Sequence, residues 1–201
     1  MAVRSPPYLM KAFLRALHRS QCAPSGRRWL FVPYDQLSNR IGPLAVDEPE
    51  ELGIVLVENR WQFARRPYHK QKLAYLIANM RHFALEQATR GVAVRYVTVD
   101  STYREALQPI IPELGPLRVM APAERELRVD LQPLIESGGL VVVPHSGWLT
   151  THEQFLAAHR SGPPWRMDSF YRFVRRAKRV LMDGDRPEGG QFSFDPENRL
   201  P

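Results

Sequence analysis

The stretch WLFVPYDQLSNR, residues 29–40, sets an uncharged apolar run directly against Tyr34, Asp35, Gln36 and Ser38. A short apolar run that ends so abruptly reads as a strand buried on both faces, presenting its polar residues at one edge of a sheet. The form recurs as IVLV at 54–57, AVRYV at 93–97, LRVM at 117–120 and LVVV at 140–143. Helical spacing separates most of these runs. From 69 to 90, Leu73, Leu76, Ile77, Met80, Phe83 and Ala84 recur every three or four residues, and Gly91 supplies the stop. Residues 124–137 predict a further helix ended by Gly138 and Gly139, and STYREALQPII from 101 a shorter one broken at Pro109. Strands alternating with helices predict an α/β fold: a doubly wound, mostly parallel five-stranded sheet, Rossmann-like, over residues 29–147.

The flanks differ. Before Asp35, the first acid, stand Arg4, Lys11, Arg15, Arg19, Arg27 and Arg28, so part of the net charge of +7 belongs to a basic amphipathic extension, residues 1–28. Leu9, Phe13, Ala16 and Leu17 lie there at helical spacing, compatible with a transit sequence, a surface helix or a helix packed on its own domain. In residues 148–201, Thr150 and Thr151 each open a capping-box pattern for a short helix to about His159, and Asp168 is placed to cap a second, SFYRFVRRAKRVLMD. The tail after it has no period and reads as a connector.

The bulk composition excludes several classes. The longest apolar runs fall far short of the roughly 20 residues a membrane-spanning helix requires. Cys22 is the sole cysteine, so this chain by itself makes no intramolecular disulfide, multi-cysteine zinc site or four-cysteine iron–sulfur site. A cytoplasmic, reducing location is expected. The positive charge favours approach to polyanions, DNA, RNA or an anionic membrane surface, with weak nucleic-acid binding expected and YRFVRRAKR a candidate face or simply a solvated helix surface.

Ligands of open α/β sheets settle beyond the carboxyl ends of the strands. Those ends carry Tyr34, Asp35 and Gln36; Glu58 with Asn59, Trp61 and Gln62; Glu124; and His145 with Ser146. Carboxylates, amides and aromatics suit a heterocycle with N–H and C=O groups and a polyol tail better than a triphosphate, and no glycine-rich phosphate loop is present. Asp35 and Ser38 read equally as caps of a following helix, and Glu58 as a solvated strand-end acid. No catalytic set and no metal-ligating set stands at recognisable spacing.

Four segments carry a resemblance: DQLS after the first strand, IVLVE in the second, HKQKLAYLIANMRHFA in the long helix, and FYRFVRRAKRVLMDGDRPEGGQFSFDPENR leading out of the domain. From about Trp29 to Pro201 the chain resembles the N-terminal domain of the deoxyribodipyrimidine photolyase-related proteins, the iron–sulfur bacterial (6-4) photolyase and cryptochrome group. The resemblance implies a light-harvesting antenna, 6,7-dimethyl-8-ribityllumazine in several members, held by Tyr34, Asp35, Gln36, Val57, Glu58 and Gln62. Tyr34 stands where the family motif has glycine and Gln62 where a relative has an acid, so the tyrosine is either a wall that stacks on the ring or a plug in its place. The family's FAD, lesion site and cluster cysteines belong to a following helical domain. The chain stops at the connector, and is expected to carry no FAD and no cluster, to repair no DNA alone, and to depend on a separate FAD-domain protein if it serves repair at all. The competing expectation is a non-enzymatic module with an empty pocket, binding nucleic acid or a partner protein through its basic surface.

Overall fold

The computed structural model describes residues 7–61, 68–159 and 162–194. The chain divides into two compact units, residues 1–147 and 148–201. In the first unit, β1 (Arg28–Phe31), β2 (Leu52–Asn59), β3 (Ala93–Val99), β4 (Leu117–Met120) and β5 (Leu140–Val143) form one sheet in the order β3-β2-β1-β4-β5. Every neighbouring pair is parallel, as expected of apolar runs joined by helical crossovers. Around the sheet lie α1 (Pro7–Ser20), the single turn α2 (Pro43–Val46), α3 (Lys70–Thr89), α4 (Tyr103–Leu107), the single turn α5 (Ile111–Leu114) and α6 (Arg125–Glu136).

Strand alternation divides the core in two. Trp29, Phe31, Val55, Val57 and Val119 pack on the side of α4 and α6 with Tyr103, Leu107, Leu127 and Leu131. Leu30, Val32, Ile54, Leu56 and Val94 pack on the opposite side with Phe13 and Leu17 of α1, Leu44 of α2, and Phe83, Ala84 and Ala88 of α3. The connections up to β3 therefore run on one face and those after it on the other, so the winding reverses between β1 and β4. Gly53 permits the tightest approach within the sheet, since a Cβ there would meet the Trp29 ring at 2.6 Å.

Local signals set most boundaries. α3 begins at His69, whose side chain accepts from the Gln71 N–H at 3.3 Å, and the chain leaves the helix at Gly91 with φ 95°. Thr102 and Glu105 close a reciprocal capping box on α4. The segment before β1 is tied to this unit: Phe13 meets Tyr96 edge-on at 4.7 Å, Gln21 donates to the Val94 carbonyl, and Arg27 donates to the Pro49 and Gly91 carbonyls at 2.8 Å. The edge strand β5 departs from the expected double burial, with Val141 49% and Val142 42% exposed.

The second unit holds α7 (His152–Ala158), opened by the Thr151/Gln154 capping box, and α8 (Met167–Lys178). Asp168 does not cap α8: Arg166 is the N-cap, and Asp168 lies in the first turn, 3.5 Å from Arg166 and 4.0 Å from Arg172. At the start of the expected connector the chain forms an antiparallel hairpin of β6 (Met182–Asp183) and β7 (Arg186–Pro187) turning at Gly184 and Asp185. Buried Arg175 organises it, donating to the carbonyls of Val180, Leu181 and Phe192 and lying over the Phe192 ring.

Candidate functional site

The winding reversal puts the loop after β1 beside the end of β4, and two side chains stitch them together. The Tyr34 hydroxyl donates to Glu124 Oε1 at 2.6 Å, and the buried Gln36 amide donates to the Met120 carbonyl at 3.3 Å. The loop itself is tight, with Gln36 N–H bonded to Pro33 O and Ser38 N–H to Gln36 O. Neither Asp35 nor Ser38 caps a helix: the next helical turn is α2, with Gly42 at its N-cap, and the Ser38 hydroxyl accepts from the Arg40 N–H. At the fifth strand's end the Ser146 hydroxyl accepts from the Gly42 N–H at 2.6 Å and the His145 ring from the Gly147 N–H at 3.1 Å, so both serve the loops.

Three titratable groups at this edge, Tyr34, Tyr103 and Asp35, are perturbed. Lost hydration, then the hydrogen bond to Glu124 and its negative charge, push the Tyr34 phenol well above its ordinary value. Lost hydration likewise raises the Tyr103 phenol, assisted by Glu124 and Asp35. Asp35 is raised above the usual carboxylate value chiefly by lost hydration, with Glu124 adding repulsion while its own backbone hydrogen bond and His145 oppose the rise. Its side chain still reaches the surface.

Glu58 occupies a different place. Its carboxylate faces the α1 and α3 side, receives Arg81 Nε and Nη2 at 3.0 Å each and the Tyr96 hydroxyl at 2.7 Å, and is 2% exposed. The solvated strand-end reading is therefore overturned, because a carboxylate survives burial when its charge and lone pairs are met this fully. Val57 is buried on the α4 and α6 side. Gln62 lies outside the described residues. The structure thus brings Tyr34, Asp35 and Gln36 together at the reversal, and commits Glu58 to an ion pair in the other layer.

A cavity of about 300 Å³ opens between the end of β2 and the starts of α4 and α6. Trp61, Tyr103 and Leu127 give it apolar wall, and Arg125, Glu126 and Asp130 give it polar groups. This volume is at the lower end of the ligand-pocket range of roughly 300–1,000 Å³. Aromatic faces joined to donors and acceptors can hold a planar heterocycle and hydrogen-bond a hydroxylated tail. Trp61 and Glu124 were legible as strand-end residues. Arg81, Tyr103 and Asp130 were not singled out, although Arg81 sits on the same helical stripe as Ile77, Met80 and Ala84, where an arginine signals a buried partner.

The family model of the deoxyribodipyrimidine photo-lyase-related proteins matches residues 30–201. A (6-4) photolyase of Agrobacterium fabrum is 32% identical over 176 residues, covering 83% of this chain and 35% of that photolyase. An uncharacterized protein, R852, of Acanthamoeba polyphaga mimivirus is 22% identical over 165 residues, covering 76% of this chain and 84% of the viral protein. The chain accordingly spans about a third of the photolyase's length and most of the viral protein's. With a parallel five-stranded sheet whose strands fall almost wholly within the matched residues, and the DQLS loop at its winding reversal, this protein belongs to the deoxyribodipyrimidine photo-lyase-related protein family.

Proposed function

We propose that the first unit is a chromophore-binding domain that holds a lumazine-type antenna, 6,7-dimethyl-8-ribityllumazine being the expected ligand, and that these residues by themselves repair no DNA. The observation that carries the reading is the cavity at the carboxyl edge, where Trp61 and Tyr103 meet Arg125, Glu126 and Asp130. The aromatic walls suit the fused ring and the polar groups suit its amide edge and ribityl hydroxyls. Tyr34, bonded to Glu124 across β1 and β4, stands where the family motif has glycine, and on this reading the ligand's fused ring lies to the side against Tyr103. Tyr34 does not line the cavity itself and on this reading backs its wall through the bond to Glu124, next to the lining Arg125. Repair is assigned to a flavin-bearing part, since the match takes in 35% of the photolyase relative and Cys22 alone cannot ligate a four-cysteine cluster.

Titration of the purified chain with 6,7-dimethyl-8-ribityllumazine, followed by the ligand's fluorescence, tests this. Saturable one-to-one binding with a Kd of about 10 μM or tighter, equivalent to roughly 7 kcal/mol, is expected, weakened at least tenfold by Trp61→Ala. A gain of binding in Tyr34→Gly would make the tyrosine a plug and overturn its role behind the wall. Absence of saturable binding in both the natural chain and Tyr34→Gly would remove the antenna reading and favour the interaction module.

A further inference from the structure

Helix α1 lies ahead of the residues that match the family, 30–201. One of its faces is spent on the domain, with Phe13 and Leu17 buried in the core. The opposite face shows Lys11, Arg15 and Arg19 to solvent, four residues apart, so that they form a row rising about 6 Å per step. No acid occurs in the chain before Asp35. Elsewhere in this unit some exposed arginines are answered by carboxylates, Arg28 by Asp47 and Glu51, Arg60 by Asp100 and Arg95 by Glu113, while among the described residues others such as Arg40, Arg104 and Arg125 stand singly. Among the described residues Lys11, Arg15 and Arg19 form no ion pair. A helix that serves only to cover a sheet has no need of such segregation, and charge runs left unanswered raise self-repulsion.

We propose that this face of α1 binds the phosphate backbone of nucleic acid, without reading base sequence. Charge complementarity selects the partner class, and the burial of the helix's apolar stripe selects within it. An anionic membrane surface would hold such a helix by taking in its apolar face, but Phe13 and Leu17 are already occupied by the core, leaving Leu9 and Leu14 as the exposed aliphatics. Phosphate neutralisation requires only the cations. The proposal is independent of the antenna reading, since it concerns a different face and a different ligand.

Three cations set a magnitude. For a duplex, the slope of log K against log salt is about −0.9 per neutralised phosphate, so this face contributes about −2.7, and its part of the affinity falls about 40-fold between 50 and 200 mM salt. The experiment is fluorescence anisotropy of the full chain with a labelled duplex of about two helical turns over that salt range. The triple variant Lys11→Gln/Arg15→Gln/Arg19→Gln is expected to flatten the slope by about 2.7 and Lys11→Gln alone by about 0.9. Glutamine is a good helix former on an exposed face, and circular dichroism checks that the fold persists. The variant Arg176→Gln/Lys178→Gln/Arg179→Gln, which removes exposed cations from the end of α8, is expected to leave the slope as it is. A second duplex of scrambled sequence is expected to bind equally. A triple α1 variant with the natural slope, a loss that follows the α8 variant instead, or α1-dependent binding to phosphatidylserine vesicles with none to the duplex would each overturn the proposal.

Discussion

Replacing Arg81 with methionine tests whether the Glu58 pair is an interior device or a surface decoration. Exposed ion pairs contribute about 0–1 kcal/mol, whereas breaking a buried pair by removing one partner costs about 3–5 kcal/mol because it strands a charge. Side-chain exposures of 2% for Glu58 and 13% for Arg81 place the pair in the second class. Arg81→Met is therefore expected to lower the stability of the first unit by about 3–5 kcal/mol, a large fraction of the 5–15 kcal/mol typical of a domain. With an m-value of about 2 kcal/mol/M, the urea midpoint falls by roughly 2 M. The double variant Glu58→Leu/Arg81→Met should regain most of that loss, because apolar replacement of both partners is often neutral. It should stop short by about 1 kcal/mol, since the Tyr96 hydroxyl loses its acceptor. Urea unfolding followed by far-ultraviolet circular dichroism measures both variants against the natural chain. A loss under about 1 kcal/mol for Arg81→Met, or a double variant no more stable than the single, would refute the argument that burial governs this pair.

Three further outcomes are expected. Burial raises the phenols of Tyr96 and Tyr103 above the free tyrosine value near 10, so the unfolded chain releases these protons first and stability falls as pH rises beyond about 10, by about 1.4 kcal/mol per pH unit for each tyrosine; a flat stability profile from pH 9 to 11 would contradict this. Asp35 is likewise raised, chiefly by lost hydration, so its contribution is fully present below its unfolded value of about 4 and lost as pH climbs through the folded one; Asp35→Asn is expected to raise Tm at pH 7 and to leave it nearly unchanged at pH 3, and the reverse pattern would count against that raised folded value. Arg175→Met strips three carbonyls of their buried donor, at about 1–3 kcal/mol for each one left unmet, and should accelerate amide exchange across residues 180–192 while leaving β1–β5 protected.

The sequence by itself determined the strands, the long helix and the α/β class, because apolar runs of four or five residues between helical periods have few other solutions. It also determined the edge at which to look, since Asp35 and Gln36 follow β1 and Glu124 follows β4 whatever the packing. The hairpin at Met182–Asp183 and Arg186–Pro187 escaped it: two-residue strands carry no periodicity, and the side chain that holds this segment is an arginine in another element. Only the tertiary structure decided which polar residues share a place. Glu58 stands at the end of β2 and Asp35 just beyond the adjacent β1, yet alternation turns Glu58 toward α3, where Arg81 and Tyr96 take its charge, while Asp35 stays in the loop at the winding reversal, within reach of the charge of Glu124. The bond from Tyr34 to Glu124, ninety residues away, likewise depends on β1 lying beside β4, and strand order is a property of how crossovers pack, not of any local stretch.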